Sequence, residues 1–343
     1  MSLSGPTEFE AVAAESGLTG SSLGPEGDHT SADPQGAIKG RSLASIAWRR
    51  LRRDKVALVA AGVIVLLVLI AIFADVLSAI YGQSPYKLHN TGSGSVIDDV
   101  TGLPKGAFSG VSSTFWLGVT PLSGQDILTN LIFGTRTSLS VSLLATTLSL
   151  VLGISLGLIA GYFRGWADTL ISRTMDVLLS FPTLLFSIAL ITVVSYINSD
   201  PSLRFWIIVF VLGFFAFPYI GRIVRGQVLS LREKEFVEAA RSLGAGSARI
   251  MAREIAPNLV GPILVYTTLS IPNNMLGEAG LSFLGLGLIG VPSWGQMLAD
   301  AGGYIQVDPF YLFLPGLAIF IAVLAFNLFG DGLRDALDPK SGR

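Results

Sequence analysis

Apolar residues in this chain run on without interruption over long stretches, instead of alternating or recurring every third or fourth position as on half-buried strands and helices. The first stretch extends from Val56 to about residue 78, close to the ~20 residues that cross a ~30 Å hydrocarbon core. Five more follow at about 139–162, 177–197, 205–222, 258–282 and 310–330, each long enough to span if somewhat tilted. Backbone N–H and C=O groups in lipid must be paired within the segment, so stretches of this length are helices. The pattern predicts an all-α integral membrane protein of six transmembrane helices, with both termini on the same side.

Residues 1–46 differ in kind, being rich in Gly, Ser, Glu, Asp and Pro and poor in large apolar side chains. Such a stretch cannot offset the entropy of its own ordering, so it is expected to be a disordered tail. It is not a secretory signal, because the basic cluster Arg49, Arg50, Arg52, Arg53 and Lys55 and its apolar run begin only after the tail. Residues 47–343 then form one transmembrane domain.

Composition narrows the function. Only 14% of the 343 residues are charged and 51% are hydrophobic, whereas soluble domains carry charge on about a quarter of their positions. The net charge of −1 offers no clustered basic face for nucleic acid. Cysteine is absent, which removes disulfides, thiolate metal sites and cysteine nucleophiles together. His29 and His89 are the two histidines; neither stands in a metal-ligand spacing, and both read as loop residues.

Placing the N-terminus in the cytoplasm puts all of the 23 Lys and Arg except Lys87, Lys105, Arg136 and Arg204 on the inner side, a strong positive-inside bias. The 222–255 loop is then cytoplasmic, and the segment of about 60 residues between the first two spans faces outward.

Several motif matches dissolve on inspection. Gly153, Gly157 and Gly161 recur every four residues and leave one helix face without side chains, a seam for close helix packing. The same stretch spells a nucleophile elbow through Ser155, but an apolar helix lacks the strand-to-helix turn and the triad partners. Gly285, Gly287 and Gly290 spell a dinucleotide fingerprint with no preceding strand. No phosphate-binding loop ending in Gly-Lys-Ser/Thr occurs, so any ATP used is hydrolysed by another chain. No catalytic residue is assigned.

The most informative segment is 235–256. Strong helix formers end at Gly244, a natural C-cap, and Ser247 is placed to N-cap a second short helix ending near Pro257. Ala239, Ala240 and Gly244 thin the first helix, while Glu238, Arg241 and Arg249 ring it with charge able to orient a docked protein. An amphipathic connector lying on the membrane surface is the plain alternative.

Glu238-Ala239-Ala240-x-x-x-Gly244, followed at a distance by Ala256-Pro257, resembles the "EAA" loop of ABC-importer permeases, the helix that docks onto the ATPase subunit in that family. Glu254 and Ala256 stand where the family carries Ile and Leu. Further stretches are similar to the C-type permease of the dipeptide and oligopeptide branch. They include Phe133-Gly-Thr-Arg-Thr-Ser-Leu139, Gly161-Tyr-Phe-Arg-Gly-Trp-Ala-Asp168, Glu278-Ala-Gly-Leu-Ser-Phe-Leu-Gly-Leu-Gly287, Pro292-Ser-Trp-Gly-Gln-Met-Leu298 and the run from Asn327 to Pro339. The resemblance covers about residue 45 to the end. It implies the type I ABC-importer permease fold in a bacterial inner membrane, with Glu238, Ala239, Ala240, Arg241 and Gly244 coupling to an ATPase. It implies as partners a second permease, two ATPase subunits holding ATP and Mg, and an extracytoplasmic binding protein, besides membrane lipid. Dipeptides or oligopeptides are the implied cargo. A permease for another solute, such as a nickel chelate, or a secondary transporter is the alternative.

Within the spans, Pro182, Pro218 and Pro272 are expected to break the third, fourth and fifth helices. Pro272, Asn273 and Asn274 are the first choice for the substrate pathway, because uncharged amides offer donors and acceptors to a peptide backbone; interhelical hydrogen bonding is the competing role. Glu278 reads as pathway, cap or interface, and Asp75 as solvated at the membrane surface. Asp331, Arg334 and Asp335 are expected to pair or cap locally.

Overall fold

The computed structural model describes residues 48–91, 95–197 and 200–337; the expected tail and His29 lie outside them. Helix α1 (Lys55–Ile72) starts where the Asp54 carboxylate accepts the amides of Val56 and Ala57 at 2.9 and 3.1 Å, an N-cap that satisfies two orphan donors. The first predicted span is not one helix, since Phe73 departs from helical geometry before α2 (Ala74–Tyr81). At this joint Arg136 donates to the Ala71 and Ile72 carbonyls and to the Asp75 carboxylate, at 2.7, 3.2 and 2.8 Å. Asp75, expected to be merely solvated, is therefore ion-paired while 72% exposed.

The second long helix, α3 (Ile127–Phe163), begins at the Asp126 N-cap, well before the predicted residue 139. Its first turns carry Thr129, Asn130, Thr135 and Ser138, all buried; their polarity ends a hydropathy run, yet they face protein and not lipid. Helices α4 (Gly165–Ser180) and α5 (Thr183–Ile197) replace the expected straight span 177–197 and meet at 81°. Pro182 accounts for the break: it lacks an N–H and forces Phe181 into extended geometry, φ −80° and ψ 136°.

Pro218 and Pro272 do not break their helices, contrary to expectation. Helix α6 (Pro201–Leu231) and helix α8 (Ser247–Leu286) continue past them, as membrane helices tolerate proline when packed neighbours accommodate the freed carbonyl. The short α7 (Glu235–Ser242) precedes α8, and α9 (Trp294–Gly302) and α10 (Pro309–Leu337) follow it. Among the described residues five helices (α1, α3, α6, α8 and α10) are long and apolar enough to cross a membrane, six if the bent α4–α5 pair is one span. No strand occurs among the described residues, where two isolated β-bridges lie in the segment before α3.

The glycine seam of α3 faces α6. A Cβ on Gly157 would sit 2.7 Å from the Gly221 carbonyl oxygen, and one on Gly161 would sit 2.7 Å from Val228 Cβ. The two backbones are in contact because no side chain separates them. At the far end of α8, Glu278 is 1% exposed and accepts hydrogen bonds from Ser282, Ser293 and Ser138 at 2.9, 2.8 and 3.3 Å. Ser138 in turn accepts the Trp294 amide at 3.1 Å, so one carboxylate pins α3, α8 and α9 together. The segment before α3 has its own small core of Ile97, Phe115 and Val119. His89 stands edge-on to Phe115 at 5.0 Å with Nδ1 3.0 Å from the Gly124 carbonyl oxygen, a loop role as expected. Tyr81 donates to Asp126 at 3.0 Å, and burial is the main reason its phenol is pushed up to about 12.

Candidate functional site

Helix α7 is anchored on one face and bare on the other. Val237 is fully buried in a cluster with Val224, Val228, Ile250, Ile255 and Leu259, and Ala240 packs partly against the same cluster. Glu238, Ala239 and Arg241 are exposed. The two alanines thus divide their roles: Ala240 seats α7 on the bundle and Ala239 lies on its open side.

Beyond Ser242 the chain turns in a Schellman motif. The Ala245 amide reaches the Ala240 carbonyl and the Gly244 amide reaches that of Arg241, both at 3.0 Å. Gly244 has φ +81°, the left-handed region that glycine enters without penalty. No atom lies within 4 Å of a Cβ built there, so the glycine answers to backbone geometry and to whatever approaches from outside, not to crowding inside this chain.

The second short helix differs from expectation in two respects. Gly246 is the N-cap and Ser247 the first helical residue, with no side-chain cap. The helix does not stop near Pro257: a π turn at Ile250–Ile255 carries it into the long part of α8, with the Ala256 amide bonded to the Met251 carbonyl. The wider turn accommodates a proline that cannot donate to the preceding turn.

Phe236 and Leu243, 41% and 89% exposed, flank Ala239 at helical spacing and make an apolar stripe on the open face of α7. Sequence reasoning read this face through its small residues and charges and passed over both. The signal was present as apolar positions three and four residues on either side of Ala239. Glu238, Arg241 and Arg249, at the edge of this face, form no ion pair among the described residues.

The corner stands on a belt of ion pairs. Arg225 grips Asp168 through two hydrogen bonds of 2.5 and 2.7 Å, and Arg222 pairs with Asp176. Arg164 meets Glu233 at 2.8 Å, and Arg232 donates to the Tyr162 carbonyl at 2.5 Å. The belt fastens the end of α6 to α4 and to the α3–α4 junction through charge-assisted hydrogen bonds.

A cleft of about 900 Å³ lies between α6, α8 and the end of α10. Tyr219 and Tyr266 stack in its wall at 5.7 Å, and Ser270, Asn273 and Arg334 contribute polar groups. Of the three predicted pathway residues, Asn273 lines this cleft and donates to the Leu269 carbonyl at 3.0 Å. Pro272 is buried, and Asn274, also buried, donates to Thr146 of α3 at 2.9 Å, the interhelical role weighed above. Among the described residues no cluster of His, Cys, Asp and Glu could hold a metal ion.

Residues 153–343 match the family model described as binding-protein-dependent transport system inner membrane component, and residues 42–93 match the N-terminal TM domain of oligopeptide transport permease C. The chain is 40% identical over 295 residues to the dipeptide transport system permease protein DppC of Alkalihalophilus pseudofirmus, covering 86% of this chain and 89% of that one. It is 38% identical over 294 residues to the glutathione transport system permease protein GsiD of Pectobacterium atrosepticum, covering 85% and 90%. A chain of the inward-facing MetNI methionine ABC transporter, in its CY5 native crystal form, superposes with a TM-score of 0.51 at 19% identity, over 62% of this chain and 98% of that one.

Proposed function

We propose that this chain, which belongs to the family of binding-protein-dependent transport system inner membrane components, forms half of the transmembrane pathway of an ATP-binding-cassette importer for small peptides. The family is a family of transport permeases, and the chain's part is passage, not catalysis. ATP and Mg belong to two separate ATPase subunits; a second permease closes the pathway, and an extracytoplasmic binding protein presents the cargo. Both termini and the α7 corner lie in the cytoplasm, in keeping with the distribution of Lys and Arg.

The observation that carries this reading is the α7 corner. Its inner face is sealed by Val237, its outer face presents Phe236, Ala239 and Leu243, and Gly244 turns the chain with nothing beside it. That shape suits a peg seated in a groove of an ATPase, with Glu238 and Arg241 setting its orientation. Movement of the peg reaches α4 and α6 through the Arg225–Asp168 and Arg222–Asp176 pairs. The cleft beside Asn273, Tyr219 and Tyr266 is this chain's share of the pathway: amide and hydroxyl groups on an apolar wall, with Arg334 as a charged lining residue, offer a peptide backbone donors and acceptors.

Peptide cargo rests on the relatives, which are named for dipeptide and glutathione transport. The test is co-expression with the neighbouring genes, purification, and comparison of ATPase activity between wild type and Gly244→Asp. Copurification of an ATPase whose association or transport-linked activity the substitution abolishes is the expected result. A chain that purifies alone and moves solute into liposomes under an ion gradient, without ATP, overturns the proposal in favour of a secondary transporter.

A further inference from the structure

At the start of α1 the chain reads Arg49-Arg50-Leu51-Arg52-Arg53-Asp54-Lys55, five cations to one carboxylate. That carboxylate is engaged in capping α1. Arg49, Arg52, Arg53 and Lys55 are exposed and take part in no ion pair among the described residues. Trp48, 56% exposed, lies under the Arg52 guanidinium at 4.8 Å. Exposed tryptophan beside basic residues at a helix end is the chemistry of a membrane–water interface.

Below this cluster a groove of about 380 Å³ opens between α1 and α10. Its walls are aliphatic, with Val56, Val59 and Val63 on one side and Ile321, Leu324 and Leu328 on the other, and among the described residues Lys55 is its sole polar lining residue. Helix α1 lies at the edge of the bundle, with 11% of its span buried, so the groove opens outward from this chain. From Val56 to Val63 it follows α1 for about 11 Å, at ~1.5 Å per residue. An apolar slot of that length, with the Lys55 ammonium at one end and Arg52 and Arg53 just before it in the chain, has the polarity of a lipid: acyl chain below, phosphate above.

We propose that this groove is a binding site for one anionic phospholipid, its acyl chain lying between α1 and α10 and its phosphate held by Lys55, Arg52 and Arg53. The charge run selects the headgroup and the valine and leucine walls hold the chain. The site is separate from the α7 corner and the cleft, and it holds whatever the cargo.

The test is native mass spectrometry of the full-length chain, purified in detergent and titrated with palmitoyl-oleoyl phosphatidylglycerol or phosphatidylcholine. The expected result is a one-lipid adduct favouring phosphatidylglycerol by at least tenfold, since each cation near a headgroup adds about fivefold. In Arg52→Gln/Arg53→Gln/Lys55→Gln that preference falls to near unity while phosphatidylcholine retention is unchanged. Val59→Trp, at a position 69% exposed and outside the core, weakens retention of both lipids by filling the groove. Sodium phosphate at equal concentration leaves the adduct in place, which separates a lipid site from a simple anion site. Equal retention of the two lipids by the wild type, or a preference that survives the triple substitution, overturns the proposal. So does a dimer of the chain in place of the adduct that Val59→Trp abolishes, which would give the groove to a second copy.

Discussion

Gly244 illustrates how one residue can be held by geometry on one side and left open on the other. Its φ of +81° costs a side-chain-bearing residue about 1 kcal/mol, and the space around it is empty. Gly244→Asn, a residue that tolerates this geometry, is expected to leave the thermal unfolding midpoint of the chain within a few degrees of wild type, yet to weaken association with the ATPase. Equal association with the unsubstituted and substituted chains would show that nothing packs against this corner. Glu278 is the opposite case. Buried and bonded to three serines, it leaves three hydroxyls without an acceptor when replaced by alanine, at a cost of about 3 kcal/mol or more. Glu278→Ala should therefore lower the unfolding midpoint far more than Gly244→Asn does, and recovery of stability by Glu278→Gln would show that bonding, not charge, is what this position supplies. The sequence displayed both residues but not their difference, because hydropathy and spacing report what a residue is and not what surrounds it.

At the scale of helices, the α3–α6 pair depends on absent side chains. Gly157→Leu is expected to destabilise the chain by about 1–3 kcal/mol or to prevent folding, since even a methyl would meet the Gly221 carbonyl at 2.7 Å. Gly62→Leu on α1, where a Cβ meets nothing within 4 Å, should be nearly silent by the same unfolding assay. The seam was readable from its four-residue spacing. The limits of the helices were less so, and the cause is physical: a hydropathy run ends where polar residues begin, whether those residues face water or protein. Thr129 and Asn130 therefore hid the first turns of α3, and Arg222 and Arg225 hid the last turns of α6, where their ion pairs with α4 keep the helix going. Proline misled in the same manner. Only at Pro182 is the helix free to part, and there it turns by 81°.

For the whole molecule, the distribution of Lys and Arg yields an orientation that labelling can check. The chain has no cysteine, so a single thiol placed at Leu243 or at Val100, 89% and 94% exposed, reports its own side of the membrane. An impermeant thiol reagent added to intact cells should label Val100→Cys and not Leu243→Cys; the reverse pattern would invert the topology. Beyond orientation, α8 has a mechanical meaning. From Ser247 to Glu278 it runs for about 47 Å at ~1.5 Å per residue, from beside the α7 corner to the serine-bound carboxylate, and beyond that node it kinks at Gly285, whose φ is +77°. Were that stretch to move as one body, a tilt of ~6° about its Ser247 end would sweep the Glu278 end through ~5 Å, close to one ~5.4 Å turn of helix. Such a tilt would carry the Glu278 node with it, and with the node α3 and α9, whose Ser138 and Ser293 are bonded to that carboxylate.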